Sequence, residues 1–107
     1  MEQVGHISVD SGQVLIVDPC YLDDWNNDFD EDKIDEGRDD PEARELNYSG
    51  ACAATLSDNH CGSVGNLAFG SETGYGDGVY PVYAETDPDG RITMILIDFL
   101  PAAGRLQ

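Results

Sequence analysis

Acidic residues are concentrated in one stretch of this chain, and that concentration limits where a folded core can form. Residues 23–45 contain twelve Asp and Glu side chains against three Lys and Arg, a net charge of −9. The other 84 residues contain ten acids and two bases, a net charge of −8. Closely spaced like charges repel one another and supply no core side chains. We therefore expect a single domain over residues 1–107, with an acidic loop inserted at residues 23–45.

The overall charge excludes several classes of function. With 22 acids and 5 bases among 107 residues, the formal net charge is −17. Neutralisation of nucleic-acid phosphates or of an anionic membrane surface requires the opposite sign. No apolar run approaches the roughly 20 residues that span a bilayer, and the first residues lack the pattern of a signal peptide. Three cysteines, an odd number, favour reduced thiols. We expect a cytoplasmic protein without a cofactor and without nucleic-acid or membrane contacts.

Outside the acidic stretch, turn residues predict two β-hairpins. The connection at residues 86–90, Thr-Asp-Pro-Asp-Gly, separates two apolar runs at 79–85 and 91–99. Pro near the start of a turn and Gly at its end are typical of a tight hairpin connection. A three-residue connection that ends in glycine also predicts a hairpin between residues 4–9 and 13–18.

Two of these segments are apolar on both faces, which predicts central strands. Residues 13–18 and 91–99 carry Val, Leu, Ile or Met at consecutive positions, the pattern of strands that are covered on both sides. Pro81 predicts an edge strand or a bulge, because proline cannot donate to a sheet ladder. The side chains that we expect to be buried are Leu15, Ile16, Ile95, Leu96 and Ile97.

The middle of the chain gives weaker signals. Residues 46–56 and 64–69 are predicted to form two more strands, although the small residues of the first also suit a close-packed turn. Residues 41–46 predict a turn or two of helix, with Asp40 as N-cap and Pro41 at the first position. The fold class is therefore mainly β: a small antiparallel β-sandwich or partly open barrel with one short helix and an acidic insert.

The acidic stretch contains alternate carboxylates that resemble part of a calcium loop. Asp28, Asp30 and Asp32 have the spacing of the first EF-hand ligands. The sixth and twelfth positions, where an EF-hand has Gly and Glu, hold Lys33 and Asp39. We therefore predict a solvated acidic loop rather than a specific metal site, and leave loose divalent binding open.

The cysteines and histidines do not form a recognisable metal or catalytic pattern. Zinc sites usually present their ligands in close pairs such as Cys-x-x-Cys, which this chain lacks. Cys20 follows Asp18 closely, and a neighbouring carboxylate raises a thiol pKa instead of activating the thiol. We predict no catalytic residue and no metal ligand among Cys20, Cys52, Cys61, His6 and His60.

Five short segments resemble a known family. They are VDPCY at residues 17–21, GACAAT at 50–55, GYGDGVYPVY at 74–83, DGRI at 89–92 and IDF at 97–99. In these segments the chain resembles a family of small phage and bacterial proteins that is described only as a domain of unknown function. The resemblance implies a β-rich fold and a phage setting, and it brings no activity and no site residues. The acidic stretch has no counterpart in it.

The function that the sequence favours is binding without catalysis. A small, strongly acidic chain imitates the phosphate charge of nucleic acid, which predicts that it blocks a basic, nucleic-acid-binding surface of a host protein such as a defence factor. The residues expected to contact that surface are Asp23, Asp24, Asp28, Asp30, Glu31, Asp32, Asp35, Glu36, Asp39 and Asp40.

Two alternatives remain open from the sequence. The first is a β domain that sequesters a nucleotide-like small molecule, and the second is a metal-dependent hydrolase with Asp18, Asp77 and Asp98 as its carboxylates. The first would use tyrosines for stacking and carboxylates for hydrogen bonds to the ligand. Its expected pocket residues are Asp18, Tyr21, Tyr75, Asp77, Tyr80 and Tyr83.

Overall fold

The computed structural model describes residues 1–100 and confirms a mainly β fold. Two three-stranded antiparallel sheets have the strand orders β1-β5-β6 and β2-β4-β3. None of the helices within that range has the length and apolar character that crossing a bilayer requires. The elements are β1 Glu2–Val9, β2 Gln13–Val17, α1 Glu31–Asp39, α2 Tyr48–Thr55, β3 Cys61–Val64, β4 Ala68–Glu72, β5 Gly78–Thr86 and β6 Ile92–Ile97, with short 3-10 helices at Pro19–Asp24 and Pro41–Ala43.

The chain divides into two units, each with its own sheet. The first consists of Met1–Gly12 and the described residues from Thr73 onwards, and it contains β1, β5 and β6. The second, Gln13–Glu72, contains β2, β3, β4 and both α-helices.

In the first unit, the hairpin of β5 and β6 is confirmed. The Asp87 carboxylate accepts hydrogen bonds from the amides of Asp89 and Arg91, both at 2.9 Å. The Gly90 amide donates to the Asp87 carbonyl at 3.0 Å, and Gly90 has φ +85°. Local turn chemistry therefore decides this connection, which is why the sequence predicts it correctly.

The predicted hairpin between residues 4–9 and 13–18 is wrong. β1 pairs with β5, and β2 pairs with β4. Gly12 has φ +69°, but its backbone bonds go far along the chain: its carbonyl accepts from the Thr73 amide at 3.1 Å, and its amide donates to the Asp77 carboxylate at 2.7 Å. These bonds tie the turn to Thr73 and Asp77 of the same unit instead of closing a local hairpin.

The prediction that residues 13–18 and 91–99 form central strands is also wrong, because β2 and β6 lie at sheet edges. Ile16 and Ile95 are 57% and 55% exposed, and Leu96 is 38% exposed. Leu15 and Ile97 are half-buried. Apolar residues on both faces show only that a strand can be buried on both faces. They do not determine whether it pairs with one neighbouring strand or with two.

Pro81 lies in β5, the central strand of its sheet, so the predicted edge position is wrong. The Pro81 carbonyl accepts a hydrogen bond from the Asp98 amide at 3.1 Å, just beyond the end of β6. In a strand, the nitrogen and carbonyl of one residue face the same neighbour. The nitrogen of Pro81 therefore lies on the β6 side, beyond the last residue of that strand, so the missing N–H ends this ladder instead of interrupting it.

In the second unit, the predicted strand at residues 64–69 is instead the turn of a hairpin. β3 ends at Val64 and β4 begins at Ala68. Gly65 and Asn66 both have positive φ, +61° and +57°, and the Leu67 amide donates to the Val64 carbonyl at 3.2 Å. Two consecutive residues with positive φ make the type I′ turn that joins twisted strands.

The predicted strand at residues 46–56 is wrong, because most of this segment forms α2. Asn47 is the N-cap, and its side chain accepts from the Gly50 amide at 2.8 Å. The small side chains let the helix approach β4 closely: a Cβ added to Gly70 would lie 3.5 Å from the Cβ of Ala54 and 3.4 Å from a methyl carbon of Val64. Close packing of small residues, rather than period-two patterning, determines this element.

The predicted helix after Asp40 is confirmed as the single 3-10 turn Pro41–Ala43. The Asp40 side chain caps it by accepting from the Glu42 amide at 3.1 Å.

Candidate functional site

The acidic stretch contains helix α1, which the sequence analysis assigns to a loop. Asp30 is its N-cap, and the Asp30 side chain accepts from the amides of Asp32 at 3.0 Å and Lys33 at 3.4 Å. Glu31 and Asp32 occupy the first turn, and Arg38 lies in the last. The acids of the first turn and Arg38 in the last turn complement the helix dipole, whereas Asp39 and the C-cap Asp40 oppose it at the C-terminal end.

One narrow face of α1 packs against α2. Only Ile34 and Gly37 of this helix are buried. A Cβ added to Gly37 would lie 2.8 Å from the Cβ of Ala53 and 3.1 Å from Cγ of Arg44. The absence of a side chain at residue 37 therefore allows the close approach of the two helices.

The segment before α1 is tied to the start of α2 by backbone hydrogen bonds. The Ser49 hydroxyl donates to the Asp28 carbonyl at 2.6 Å and accepts from the Asp30 amide at 2.9 Å. The Ser49 amide donates to the same Asp28 carbonyl at 3.0 Å, and the Tyr48 amide donates to the Asn26 carbonyl at 3.1 Å. Ser49 itself is only 1% exposed. The acidic stretch is thus anchored at the α1 N-cap and at the residues just before it.

Arg44 anchors the other end of α1 with a buried guanidinium that is 5% exposed. Its Nε donates to the Gly37 carbonyl at 2.7 Å, and Nη2 contacts the Arg38 carbonyl at 3.5 Å. Nη1 donates to the Ser63 carbonyl on β3 at 3.1 Å. The last carbonyls of a helix carry partial negative charge, so a cation is favoured there. The Arg44 guanidinium thus bonds to backbone carbonyls inside the second unit and not to the exposed carboxylates.

We call the exposed carboxylates of residues 23–45 the acidic surface. Of the twelve acids in this stretch, only Asp30 is half-buried. Lys33 donates to the Asp28 carboxylate at 3.4 Å and lies 3.9 Å from a Glu45 oxygen. The hydrogen bond to Asp28, followed by the charge of Glu45, raises the pKa of Lys33 above its usual value. The members of the acidic surface are Asp23, Asp24, Asp28, Glu31, Asp32, Asp35, Glu36, Asp39, Asp40, Glu42 and Glu45.

The three carboxylates with the calcium-loop spacing make other contacts. Asp28 pairs with Lys33, Asp30 caps α1, and Asp32 lies within the first helical turn. Among residues 1–100, no three His, Cys, Asp or Glu side chains are grouped so that they could hold a metal ion.

The glycine-rich loop of the first unit, residues 73–78, is held by side-chain hydrogen bonds to the backbone. The Thr73 and Tyr80 hydroxyls both donate to the Gly76 carbonyl, at 2.6 and 2.7 Å. Asp77 accepts from the Gly12 amide at 2.7 Å. Thr73 is fully buried and Tyr80 is 7% exposed. The polar groups expected to contact a ligand are therefore engaged in holding this loop to β5 and to the end of β1.

The other residues of the expected small-molecule pocket have varied surroundings. Asp18 caps the 3-10 helix Pro19–Asp24 by accepting from the Cys20 amide at 2.9 Å. Tyr75 is 62% exposed, while Tyr21 and Tyr83 are half-buried. Among these tyrosines, Tyr75 exposes most of its side chain to solvent.

Open clefts of moderate size occur in both units. In the second unit, a cleft of about 330 Å³ is lined by Arg38 and Arg44 but also by Asp39 and Asp58, so its charge is mixed. In the first unit, a cleft of about 510 Å³ lies beside the start of β1 and of β6. None of the six expected pocket residues lines either cleft.

Sequence reasoning missed the residues that fix the acidic surface in place. Ser49 and Arg44 are single polar residues in segments without periodic pattern, so no local signal distinguishes them. Gly37 is detectable as a glycine inside a charged run, which in a helix indicates close packing.

Comparison with protein-family models finds one match that covers most of the chain. The family model described as "Protein of unknown function (DUF4241)" matches residues 5–97. Comparisons with curated proteins and with solved structures give no significant match.

Proposed function

The chain belongs to the family of proteins of unknown function DUF4241, and from that premise we propose that it acts by binding, without catalysis. Its acidic surface occupies a basic, nucleic-acid-binding surface of a host protein such as a defence factor. The protein works in the cytoplasm of the host cell and is of phage type. The occupied partner then loses access to nucleic acid.

The spacing of carboxylates along α1 carries this proposal. Eight residue steps at about 1.5 Å per residue give about 12 Å of helix axis. Five exposed carboxylates over that length correspond to roughly one charge per 3 Å, close to the roughly 3.4 Å between charges along one DNA strand. The five are Glu31, Asp32, Asp35, Glu36 and Asp39.

The rigidity of this charge array also supports the proposal. Charges that are already fixed bind a basic groove with a more favourable free energy than a flexible loop, because the loop must be ordered on binding. The Asp30 cap, the Ser49 bonds and the Arg44 guanidinium fix both ends of α1. The three bases in the stretch, of which Lys33 is paired with Asp28, leave it with a net charge of −9.

The test compares two variants that have lost the same number of charges. The α1 variant carries Asp32→Asn, Asp35→Asn, Glu36→Gln and Asp39→Asn, all at exposed positions. The matched control removes four exposed carboxylates outside the acidic surface: Glu2→Gln, Asp10→Asn, Asp58→Asn and Glu85→Gln. Each protein is used to capture partners from host lysate, and the captured material is challenged with duplex DNA.

The expected result is a partner that binds at low salt, is released by duplex DNA, and binds the control normally. For the α1 variant we expect association to slow by about tenfold or more, because charge steering dominates such encounters. Equal losses for both variants would mean that net charge alone is responsible. If duplex DNA does not release the captured partner, the proposal that the acidic surface mimics nucleic acid is wrong.

A further inference from the structure

The cleft of the second unit lies between the end of α1, the loop after α2 and strand β3. Its volume of about 330 Å³ is at the small end of the range for sites that bind small molecules. Of the five Lys and Arg residues of the chain, Arg38 and Arg44 line this cleft. Asp39 and Asp58 line it as well. Two positive and two negative side chains therefore surround one small space.

Arg44 supplies the innermost of these charges. It is 5% exposed, whereas the other three charged residues are exposed and lie at the rim. A Cβ added to Gly62 would lie 2.6 Å from Nη1 of Arg44, so the lack of a side chain at this residue of β3 makes room for the guanidinium. Gly62 itself lines the cleft, so Nη1 lies beside the open space.

The Arg44 guanidinium can still donate further hydrogen bonds. An arginine side chain has five N–H groups, and three of those of Arg44 donate to the carbonyls of Gly37, Arg38 and Ser63. Within residues 1–100 this side chain meets no other acceptor, so one N–H on Nη1 and one on Nη2 have no protein partner. A ligand oxygen in the cleft would supply acceptors, and a carboxylate forms the strongest such bonds with a guanidinium.

We propose that this cleft binds a free α-amino acid through its two charged groups. The carboxylate accepts from the N–H groups of Arg44 that lack a protein acceptor, with Arg38 beside it. The ammonium group faces Asp39 and Asp58 at the rim. The two charges of an α-amino acid are separated by a single carbon, and the consecutive residues Arg38 and Asp39 place opposite charges at neighbouring points of the rim.

The mixed charge of the cleft argues against ligands of other kinds. Phosphate or a dicarboxylate would meet two carboxylates in the cleft and the field of a chain with a net charge of −17. A cation would meet two guanidinium groups. An apolar molecule would remove water from charged side chains and offer them no hydrogen bond. A ligand that carries both charges and no net charge avoids each of these penalties.

The first measurement is an NMR titration of the isotope-labelled protein with each common L-amino acid whose side chain is uncharged. We expect the amide resonances of Asn59, Gly62 and Ser63 to shift saturably with at least one of them. The N-acetyl and carboxamide derivatives of that amino acid each lack one of its charges. Each derivative should bind about tenfold more weakly or worse, because it loses charged hydrogen bonds. If no amino acid shifts these amides at millimolar concentrations, the proposal is wrong.

The second measurement uses two variants that identify the residues facing each charge. Asp58→Asn should weaken binding of the amino acid by about threefold or more. It should leave the N-acetyl derivative unaffected, because that derivative has no ammonium group. Arg38→Gln should likewise weaken the amino acid and leave the carboxamide derivative unaffected. Both residues are exposed, so both variants should fold, and a general loss of structure would weaken every ligand alike.

The matched controls remove the same charges from exposed residues of the same unit that do not line the cleft: Asp24→Asn and Lys33→Gln. Both should bind the amino acid as the unchanged chain does. Equal losses in the controls would mean that net charge, and not the cleft, is responsible, and the proposal would fail. Equal binding of the amino acid and its N-acetyl derivative would indicate an anion site and would also overturn it.

These measurements test the cleft separately from the proposed function. They involve neither a protein partner nor nucleic acid, and Arg38→Gln and Asp58→Asn keep every carboxylate of the acidic surface. Binding of an amino acid without capture of a partner, or the reverse, would therefore support one proposal and overturn the other.

Discussion

Tyr80 and Asp77 lie in the segment that carries the clearest family resemblance, and the polar groups of both bond to the backbone. The Tyr80 hydroxyl donates to the Gly76 carbonyl, and its ring meets Phe99 edge-on at 5.3 Å between ring centroids. The Asp77 carboxylate holds the Gly12 amide. At the scale of single residues, the tyrosine and aspartate of this segment therefore stabilise the glycine-rich loop.

We predict that Tyr80→Phe costs little and Tyr80→Ala costs much. The Gly76 carbonyl keeps its bond from Thr73 in the phenylalanine variant, so the loss should be about 0.5–1.5 kcal/mol of unfolding free energy. The alanine variant also loses the buried ring and should cost about 3–5 kcal/mol. Urea denaturation measures both. Similar losses for the two variants would show that the hydroxyl, and not the ring, supports the loop.

At the scale of elements, α1 is stabilised mostly from outside its own sequence. Its buried face is only Ile34 and Gly37, and isolated helices this short are marginal in water. Asp30 caps its start, and Arg44 reaches back to the carbonyls at its end. The helix therefore depends on one arginine that is buried against carbonyls from α1 and β3.

We predict that Arg44→Ala destabilises the protein by about 2–5 kcal/mol, because it leaves a cavity and removes the donors to three carbonyls. Arg38→Ala is the matched control: it also removes one positive charge, but from an exposed side chain, and it should change stability by about 0.5 kcal/mol or less. Thermal or urea unfolding, followed by circular dichroism, measures both. Equal effects would mean that charge, rather than the buried contacts, is responsible.

The elements also show which parts of the fold the sequence can predict. The β5–β6 hairpin is set by Asp87 and Gly90 within the turn, so local chemistry is sufficient. The connection after β1 is set by Thr73 and Asp77, more than sixty residues away, which no local pattern records. α2 depends on small side chains that fit against Gly70, a tertiary contact that overrides weak strand patterning.

At the scale of the whole molecule, charge is more predictable than geometry. Counting residues locates the stretch in which the acidic surface lies, because charged side chains remain exposed in nearly any fold. The position of helix α1 and the burial of the Arg44 side chain depend on long-range contacts. Residue counts do not record such contacts. The sequence also does not predict that β6 is an exposed edge strand. A strand that is apolar on both faces has the same sequence pattern whether its faces are covered or exposed.

The last prediction concerns how this charge acts on the whole fold. Since the net charge is −17, self-repulsion opposes folding, and added potassium chloride should raise the melting temperature by screening it. Calcium at constant ionic strength should add little, because Asp28, Asp30 and Asp32 already serve an ion pair and a helix N-terminus. Differential scanning calorimetry at one fixed protein concentration measures both effects. A large rise that is specific to calcium would show that these carboxylates rearrange around the ion, and a melting temperature that falls with salt would mean that favourable ion pairs outweigh the repulsion.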